Sequence, residues 1–479
     1  MLVGNVRLRQ GTPLFYCDSC VINNQTKVFE ACGNVHINDS DTAHVYSKYL
    51  RYLSATRLAY LKGNVRLTDG QGTLTTNELE YDVASKIGTY KNGGRVVNKK
   101  TVLTSKEGVY YADLHDVYFK QNVVLKNPGH NLKTDSLLYN TQTQVARFIA
   151  ETLITDTSRR TINTTEGLYD LKAGRAEFTQ RTTINDGPVR IVGNQIASDD
   201  STGIVQILGN GVLVDTAQGL SILANEIFAD KKKAAYLATR KPLMIIKQEK
   251  DSIYITGDTL FSAKLSDLFQ VIDTSKGKAT AKNKIVKPKN DSTDRYFEAF
   301  RNVRVFTDSM QAVSDSLFYS FKDSTFQLFQ NPIVWSNGKQ LSGDTIYLYT
   351  KNKKADRVRV FENSFLISEV EPNVYNQIKA VRMFGYFVAG VIDSVNAKGM
   401  AESIYFLQDE DSAYSGINKT ESDAMDVYFA KGELEKVVLR RSVKGTLFPA
   451  NKKSPQEMQL TNFKWMDKRR PKTKYELFE

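Results

Sequence analysis

The chain has 479 residues and a mass of 54.0 kDa, enough for two to four domains or for one long repetitive one. With 41% hydrophobic and 25% charged residues it is neither wholly disordered nor collagen-like, and no apolar run reaches the ~18–20 residues of a membrane-spanning helix. Lys and Arg number 65 against 53 Asp and Glu, a net charge of +12 that permits an acidic partner without naming one; no nucleic-acid partner is expected.

The N-terminal segment Met1-Leu2-Val3-Gly4-Asn5-Val6 already reads as a strand. It lacks the basic start and apolar stretch of a secretory leader, so the protein is either cytoplasmic or its sequence begins late. Cys17 and Cys20 form a C-x-x-C, with Cys32 and His36 as the nearest further ligands. Zinc normally takes a full set of four, so no metal is expected; a local disulfide and plain buried thiols stay open. His36, His44, His115 and His130 are scattered, with no HExxH and no HxH, which disfavours histidine-centred catalysis.

The main signal is internal repetition. Gly4-Asn5-Val6-Arg7-Leu8 recurs as Gly33-Asn34-Val35-His36-Ile37 and Gly63-Asn64-Val65-Arg66-Leu67. It returns more loosely at Gln121–Leu125, Gly209–Leu213, Arg301–Val305 and Gln330–Val334. Successive asparagines stand 29, 30 and 58 residues apart at first, and Asn302 to Asn331 is 29 again. A second element follows each: small-polar, Asn or Asp, then x-apolar-x-aromatic. It is seen at Thr76–Tyr81, Thr134–Tyr139, Ala224–Phe228, Gly257–Phe261, Ser314–Tyr319 and Gly343–Tyr347. A short β-branched and aromatic run precedes each asparagine, as in Asp116–Lys120, Ser324–Phe329 and Arg357–Phe361. Three short strands per ~30 residues, punctuated by Gly, Asn, Asp and Lys, cannot bury their own apolar face, so neighbouring units must cover it.

Alternation places Val35 with Ile37, Val65 with Leu67, Leu79 with Tyr81, Val123 with Leu125, Leu137 with Tyr139, Val303 with Val305 and Leu317 with Tyr319 on one inward face. Such residues are core in any β solenoid, and from periodicity alone a core is the first reading. The corner residues Asn5, Asn34, Asn64, Asn77 and Asp135 serve turn backbone groups. Helix is expected only at 373–384 and 451–467. Ser275–Arg295, with Lys276, Lys278, Lys282, Lys284, Lys287 and Lys289, reads as an inserted loop, and Asp409–Asp423 as an acidic, Ser-rich one. The resulting division is repeats over 1–270, a Lys-rich loop over 271–300, repeats over 301–445 and a basic tail over 446–479.

The repeat Gly63–Gly70 followed by Thr73–Tyr81 resembles the OstA-like family of lipopolysaccharide transport, which includes LptA and the N-terminal part of LptD. The resemblance implies an all-β fold: an elongated antiparallel β-jellyroll, open like a folded taco, built as a solenoid of ~30-residue repeats. It implies a lipid carrier with no catalytic residues and no cofactor, whose groove shields lipid A acyl chains. The groove candidates are then the inward residues just named, and Arg7, Arg66 and Arg304 are candidates for phosphate contact. The implied partners are lipopolysaccharide or a related glycolipid, other jellyroll transport proteins joined end to end, and an outer-membrane translocon. The implied location is the periplasm, in association with the outer membrane. Two departures, the missing leader and the missing strand before Gly4, place the start of the sequence inside the first repeat and leave the strand around Val6 as an exposed edge. No LptD-type barrel is expected, since no series of ~10-residue alternating strands follows the repeats.

Two readings from other classes compete. One is a parallel β-helix enzyme acting on acidic polysaccharide, for which Asp135, Asp258, Asp315 and Asp344 share a repeat position. Asn77, Asn194 and Asn225 occupy that position too, which suits a turn better than a catalytic pair. The other is a structural or adhesive repeat protein. An open apolar trough favours the carrier, acidic pairs in a cleft the enzyme, and a sealed core the third.

Overall fold

The computed structural model describes residues 1–39, 43–247, 252–268, 293–351, 354–409, 413–430, 433–450 and 452–478. The chain divides into two units, Met1–Gly211 and Val212–Glu479. Both are built from antiparallel strands. Among the described residues, helix is confined to one turn at Leu265–Leu268 and short 3-10 turns such as Ala112–Leu114 and Asp467–Arg469. The fold is an antiparallel β-jellyroll, and among the described residues the ladders with an established register run antiparallel, which excludes a parallel β-helix.

In the first unit Leu2–Arg9, Leu14–Asn23, Val28–Asp39, Ala43–Leu53, Leu58–Thr68 and Thr73–Asp82 each pair with the next. The Gly-Asn dipeptides that mark the repeat lie in mid-strand. Gly33 and Asn34 have φ of 72° and 42°, and Gly63 and Asn64 have 80° and 49°. Cys32 faces Tyr49 and Val35 faces Ser47, so two residues oppose the single Lys48: a β-bulge, where the strand bends from one wall of the jellyroll to the other. Glycine suits the first bulge position twice over. Its φ is positive, and a Cβ on Gly33 would stand 2.3 Å from Asp18 Oδ2. Asparagine suits the second because it tolerates the left-handed region and its side chain can hydrogen-bond locally.

The second sequence element supplies the partner of the bulge. Asn34 Nδ2 donates to Asp18 Oδ2 at 3.0 Å, Asn302 Nδ2 to Asp258 Oδ1 at 3.2 Å, and Asn363 Nδ2 to both oxygens of Asp344 at 3.1 Å. The backbone N–H of Asn122 donates to Asp135 Oδ1 at 3.1 Å. The repeated carboxylates therefore brace corners. Where a strand breaks at the corner, its neighbour carries both pieces: Thr73–Asp82 pairs with Gly94–Asn98 through its first half and with Ile87–Tyr90 through its second.

One turn in this unit stands on a buried charge. Asp69 Oδ1 accepts the N–H groups of Gln71 (2.8 Å) and Gly72 (2.6 Å), while Oδ2 accepts from Thr141 Oγ1 and meets His115 Nδ1, each at 2.9 Å. Burial alone would raise this carboxyl, but the Gly72 N–H, His115, the Gln71 N–H and Thr141 together bring it below its ordinary 3.8. A depressed folded value means stability present above 3.8 and lost as pH falls through the folded value. Asp69→Asn is expected to cost about 1–3 kcal/mol at neutral pH. The gap to the native protein in urea unfolding should narrow as pH falls below 3.8; a gap of constant size there would remove Asp69 from this role.

Three sequence expectations are corrected here. The segment 373–384, read as helix, belongs from residue 374 onward to the strand Val374–Val388, which is paired on both sides. Within Asp409–Asp423, read as a loop, residues from 414 onward belong to the strand Tyr414–Ala430. Two of its inward positions within that segment, Thr420 and Ser422, carry hydroxyls, Thr420 bonded to Ser403 of the neighbouring strand at 2.6 Å, so the apolar alternation that would reveal the strand is interrupted there. The segment 451–467 is no helix: among its described residues it forms turns and extended chain. The Lys-rich stretch lies, up to residue 292, outside the described residues.

The C-terminal segment packs as a strap on the second unit. Met458, Leu460 and Leu477 are buried, Met458 and Leu460 in a cluster with Phe365, Ile367, Ile404 and Phe406. Gln377 and Gln340 grip its main chain with their side-chain amides. Gln377 Nε2 donates to Met458 O (3.0 Å) and its Oε1 accepts from Leu460 N (2.9 Å); Gln340 does the same to Lys464 O and Met466 N, each at 2.8 Å. Farther along, Arg470 Nε donates to Gln311 Oε1 and Arg304 Nη1 to Glu476 O, each at 2.7 Å.

Candidate apolar binding cavity

Within the second unit two walls enclose a cavity of about 680 Å³, within the size range of small-molecule sites. One wall is a row of cross-strand partners. Phe326 faces Leu348, Leu348 faces Val358, Val358 faces Gly385, and Gly385 faces Val395. The opposite wall repeats the arrangement with Val334 facing Leu341 and Leu341 facing Leu366. These rows exist because β-branched and aliphatic residues stand at every second position of each strand, and the register aligns them. Gly385 lets Val358 pack down over the backbone in the middle of this wall, where any Cβ would come within 2.7 Å of Val358 Cγ1.

The second wall is apolar on both faces. Trp335, Phe365 and Ile367 alternate with Val334 and Leu366 and are also buried, because the strap covers the outer side. The rim is polar and cationic. Thr307, Ser309, Asn337 and Lys339 come from one lip, and Thr350 and Lys354 from the other. The hairpin tip around Ala389 and Gly390 completes the second lip. Lys339 holds its ammonium 5.5 Å from the Phe429 ring centroid. An apolar interior with cations at the rim suits an amphiphile with an anionic head.

The inward residues named from the sequence are all buried. Val35, Ile37, Val65, Leu67, Leu79, Tyr81, Val123, Leu125, Leu137 and Tyr139 are 0–2% exposed in the first unit, and Val303, Val305, Leu317 and Tyr319 are 1–8% exposed in the second. None of them is among the residues lining the cavity. Its walls draw on the third repeat element, as with Phe326 in Ser324–Phe329 and Val358 in Arg357–Phe361, on Val334 at the end of the loose copy Gln330–Val334, and on the uncharged run Met383–Ile392.

Of the arginines singled out, Arg66 lies 4.4 Å over the Tyr46 ring and Arg7 5.5 Å over Tyr16, both exposed on the first unit. They close the two ends of a cross-strand row that runs through Tyr16, His36 and Tyr46. Arg304 instead holds the strap. Cys17, Cys20 and Cys32 are free thiols, the first two buried. Burial and then the neighbouring Cys20 push the Cys17 thiol up to about 11, which leaves it unreactive at neutral pH.

Comparison with known proteins matches residues 1–135 to the family described as OstA-like protein. No curated protein matches the chain. Among solved structures, one match is LptH from Pseudomonas aeruginosa, described as the LptA-homologous periplasmic component of the conserved lipopolysaccharide transport device. It shares 14% identity and covers 35% of this chain and 80% of that one, with a TM-score of 0.16.

Proposed function

From a chain whose residues 1–135 are OstA-like, we propose a carrier of the lipopolysaccharide-transport type, working in the periplasm and catalysing no reaction. It shields the acyl chains of lipopolysaccharide, or of a related glycolipid, on the way to the outer membrane. The observation that carries this reading is the apolar cavity with its cationic rim. Acyl chains enter between the Leu348–Val395 and Val334–Leu366 walls, and Lys339 and Lys354 meet the anionic head. Each methylene removed from water contributes about 0.8 kcal/mol, so a few suffice for retention. The inward residues named from the sequence are assigned to the packed interior. An adhesive repeat protein has no use for a lined cavity open at a charged rim. The test is titration of the purified protein with a fluorescent fatty acid, then competition by lipopolysaccharide. Saturable binding that lipopolysaccharide displaces is expected; no saturable binding would end the carrier reading.

End-to-end partners are assigned to the first strand. Leu2–Arg9 pairs with Leu14–Asn23 on one side, and no second partner strand is found for it among the described residues. An edge of unpaired N–H and C=O groups invites strand addition by another jellyroll. N–H groups alternate sides along a strand, so proline at Val6 or at Arg7 removes a donor from the free side. One of the two substitutions is expected to abolish self-association or partner binding in sedimentation with the β spectrum intact. Association unchanged in both would move the junction elsewhere.

A further inference from the structure

The longest uncharged stretch on the rim ends in an exposed tip. From Met383 to Ile392 no residue carries a charge, and this run forms the hairpin between the strands Val374–Val388 and Val391–Gln408. The tip has two sides. Phe387 and Ile392 face the cavity, whereas Tyr386 and Val388 stand 53% and 64% exposed. A hairpin tip in water ordinarily carries Asn, Asp, Gly or Ser; this one reads Val-Ala-Gly-Val. The adjoining hairpin, which joins Thr345–Lys351 to Lys354–Glu371, brings exposed Lys351 and Lys354 beside it, and a Cβ on Gly390 would lie 3.6 Å from that of Lys354.

We propose that the Tyr386–Ile392 tip inserts into the interface of a lipid membrane, with Lys351 and Lys354 on its anionic headgroups, and so places the cavity mouth on the lipid surface. This inference rests on the carrier reading and supplies the route by which a lipid reaches the cavity without crossing water. Three observations converge on a membrane rather than a protein partner. The exposed apolar residues are at a tip, not on a face. An aromatic with a hydroxyl, Tyr386, stands at the water-facing base where interfacial tyrosines settle. The cations flank the tip at the level of the headgroups.

The experiment is co-sedimentation with vesicles of phosphatidylcholine and phosphatidylglycerol, comparing the native protein with the double variant Tyr386→Asp, Val388→Asp. Neither position lines the cavity. Leu447→Asp, at an apolar site 64% exposed on a different strand, controls for added charge. The expected result is a loss of vesicle partitioning of at least tenfold in the double variant, with none in Leu447→Asp. Fatty-acid binding in solution should be retained by all three proteins. Native protein that does not partition, or a double variant that partitions like the native protein, overturns the inference while leaving the carrier reading intact. Absence of fatty-acid binding by the native protein would instead overturn the carrier reading. Circular dichroism confirms that each variant is folded, and a Val388→Trp variant gives an independent readout. Its fluorescence should shift to the blue on adding vesicles and be quenched by brominated lipid; no quenching counts against insertion.

Discussion

Filling the cavity from its glycine-centred wall is expected to lower fatty-acid affinity about a hundredfold. Val358 and Val395 flank Gly385 across the sheet and both line the cavity, so phenylalanine at each would turn a ring into it. Loss of space for about four methylenes, at ~0.8 kcal/mol each, is ~3 kcal/mol, or roughly two decades of affinity. Inserting bulk into a closed core costs about 1–3 kcal/mol, whereas bulk placed into empty space costs little. The double variant should therefore melt near the native temperature while the probe titration weakens. Unchanged affinity would mean that the ligand sits elsewhere. Unchanged affinity together with a large fall in melting temperature would mean that these positions are solid core.

The second large effect concerns Gln340, buried on the outer face. Its amide donates to Lys464 O and accepts from Met466 N and, at 3.3 Å, from Trp335 Nε1. Gln340→Ala leaves those groups buried without a partner, at about 1–3 kcal/mol for each that water cannot reach. A net loss of ~3 kcal/mol is expected, a fall of roughly 10 °C for a unit of this size. Cleavage by trypsin after Lys464, Lys468 and Arg469 should quicken as the strap comes free. Gln340→Glu puts a buried carboxylate oxygen against Lys464 O in place of that donor, so its effect should be at least as large. Equal melting and equal cleavage in all three proteins would show that the strap is held without this side chain.

The corners of the fold were legible because they need particular residues. A mid-strand bulge with two left-handed positions selects Gly and Asn, and the carboxylate facing it selects Asp, so both reach the sequence as a period. The cavity was not legible, for two physical reasons. Its shape depends on a missing side chain at Gly385, which in sequence looks like any other glycine. Its second wall breaks the alternation from which inward residues are read: Ile333, Val334 and Trp335 are all buried, since the strap shields what would otherwise be the wet face. The segment 373–384 failed differently. Val374, Ile378 and Val381 are spaced four and three apart as on a helix, but pairing on both sides fixed them as strand. Only long-range pairing settles such a case.

The bulge also bears on how such a chain can lengthen. Two residues are spent at each bulged corner, an even number, so a side chain facing inward before the bend faces inward after it: Ala31 and Val35 are both buried, as are Leu61 and Val65. The strand opposite spends one residue and its parity flips: Ser47 and Leu50 are both buried, as are Thr76 and Leu79. A tandem duplication that copied such a pair of strands, with its bends and turns, would arrive already in phase with its neighbours. It would need no compensating change on either side, whether the copied step were 29 residues or 30, because the odd residue is taken up in the turn. Growth by copying is therefore nearly free of structural penalty for this architecture, and the limit on its length is set by what the ends must meet.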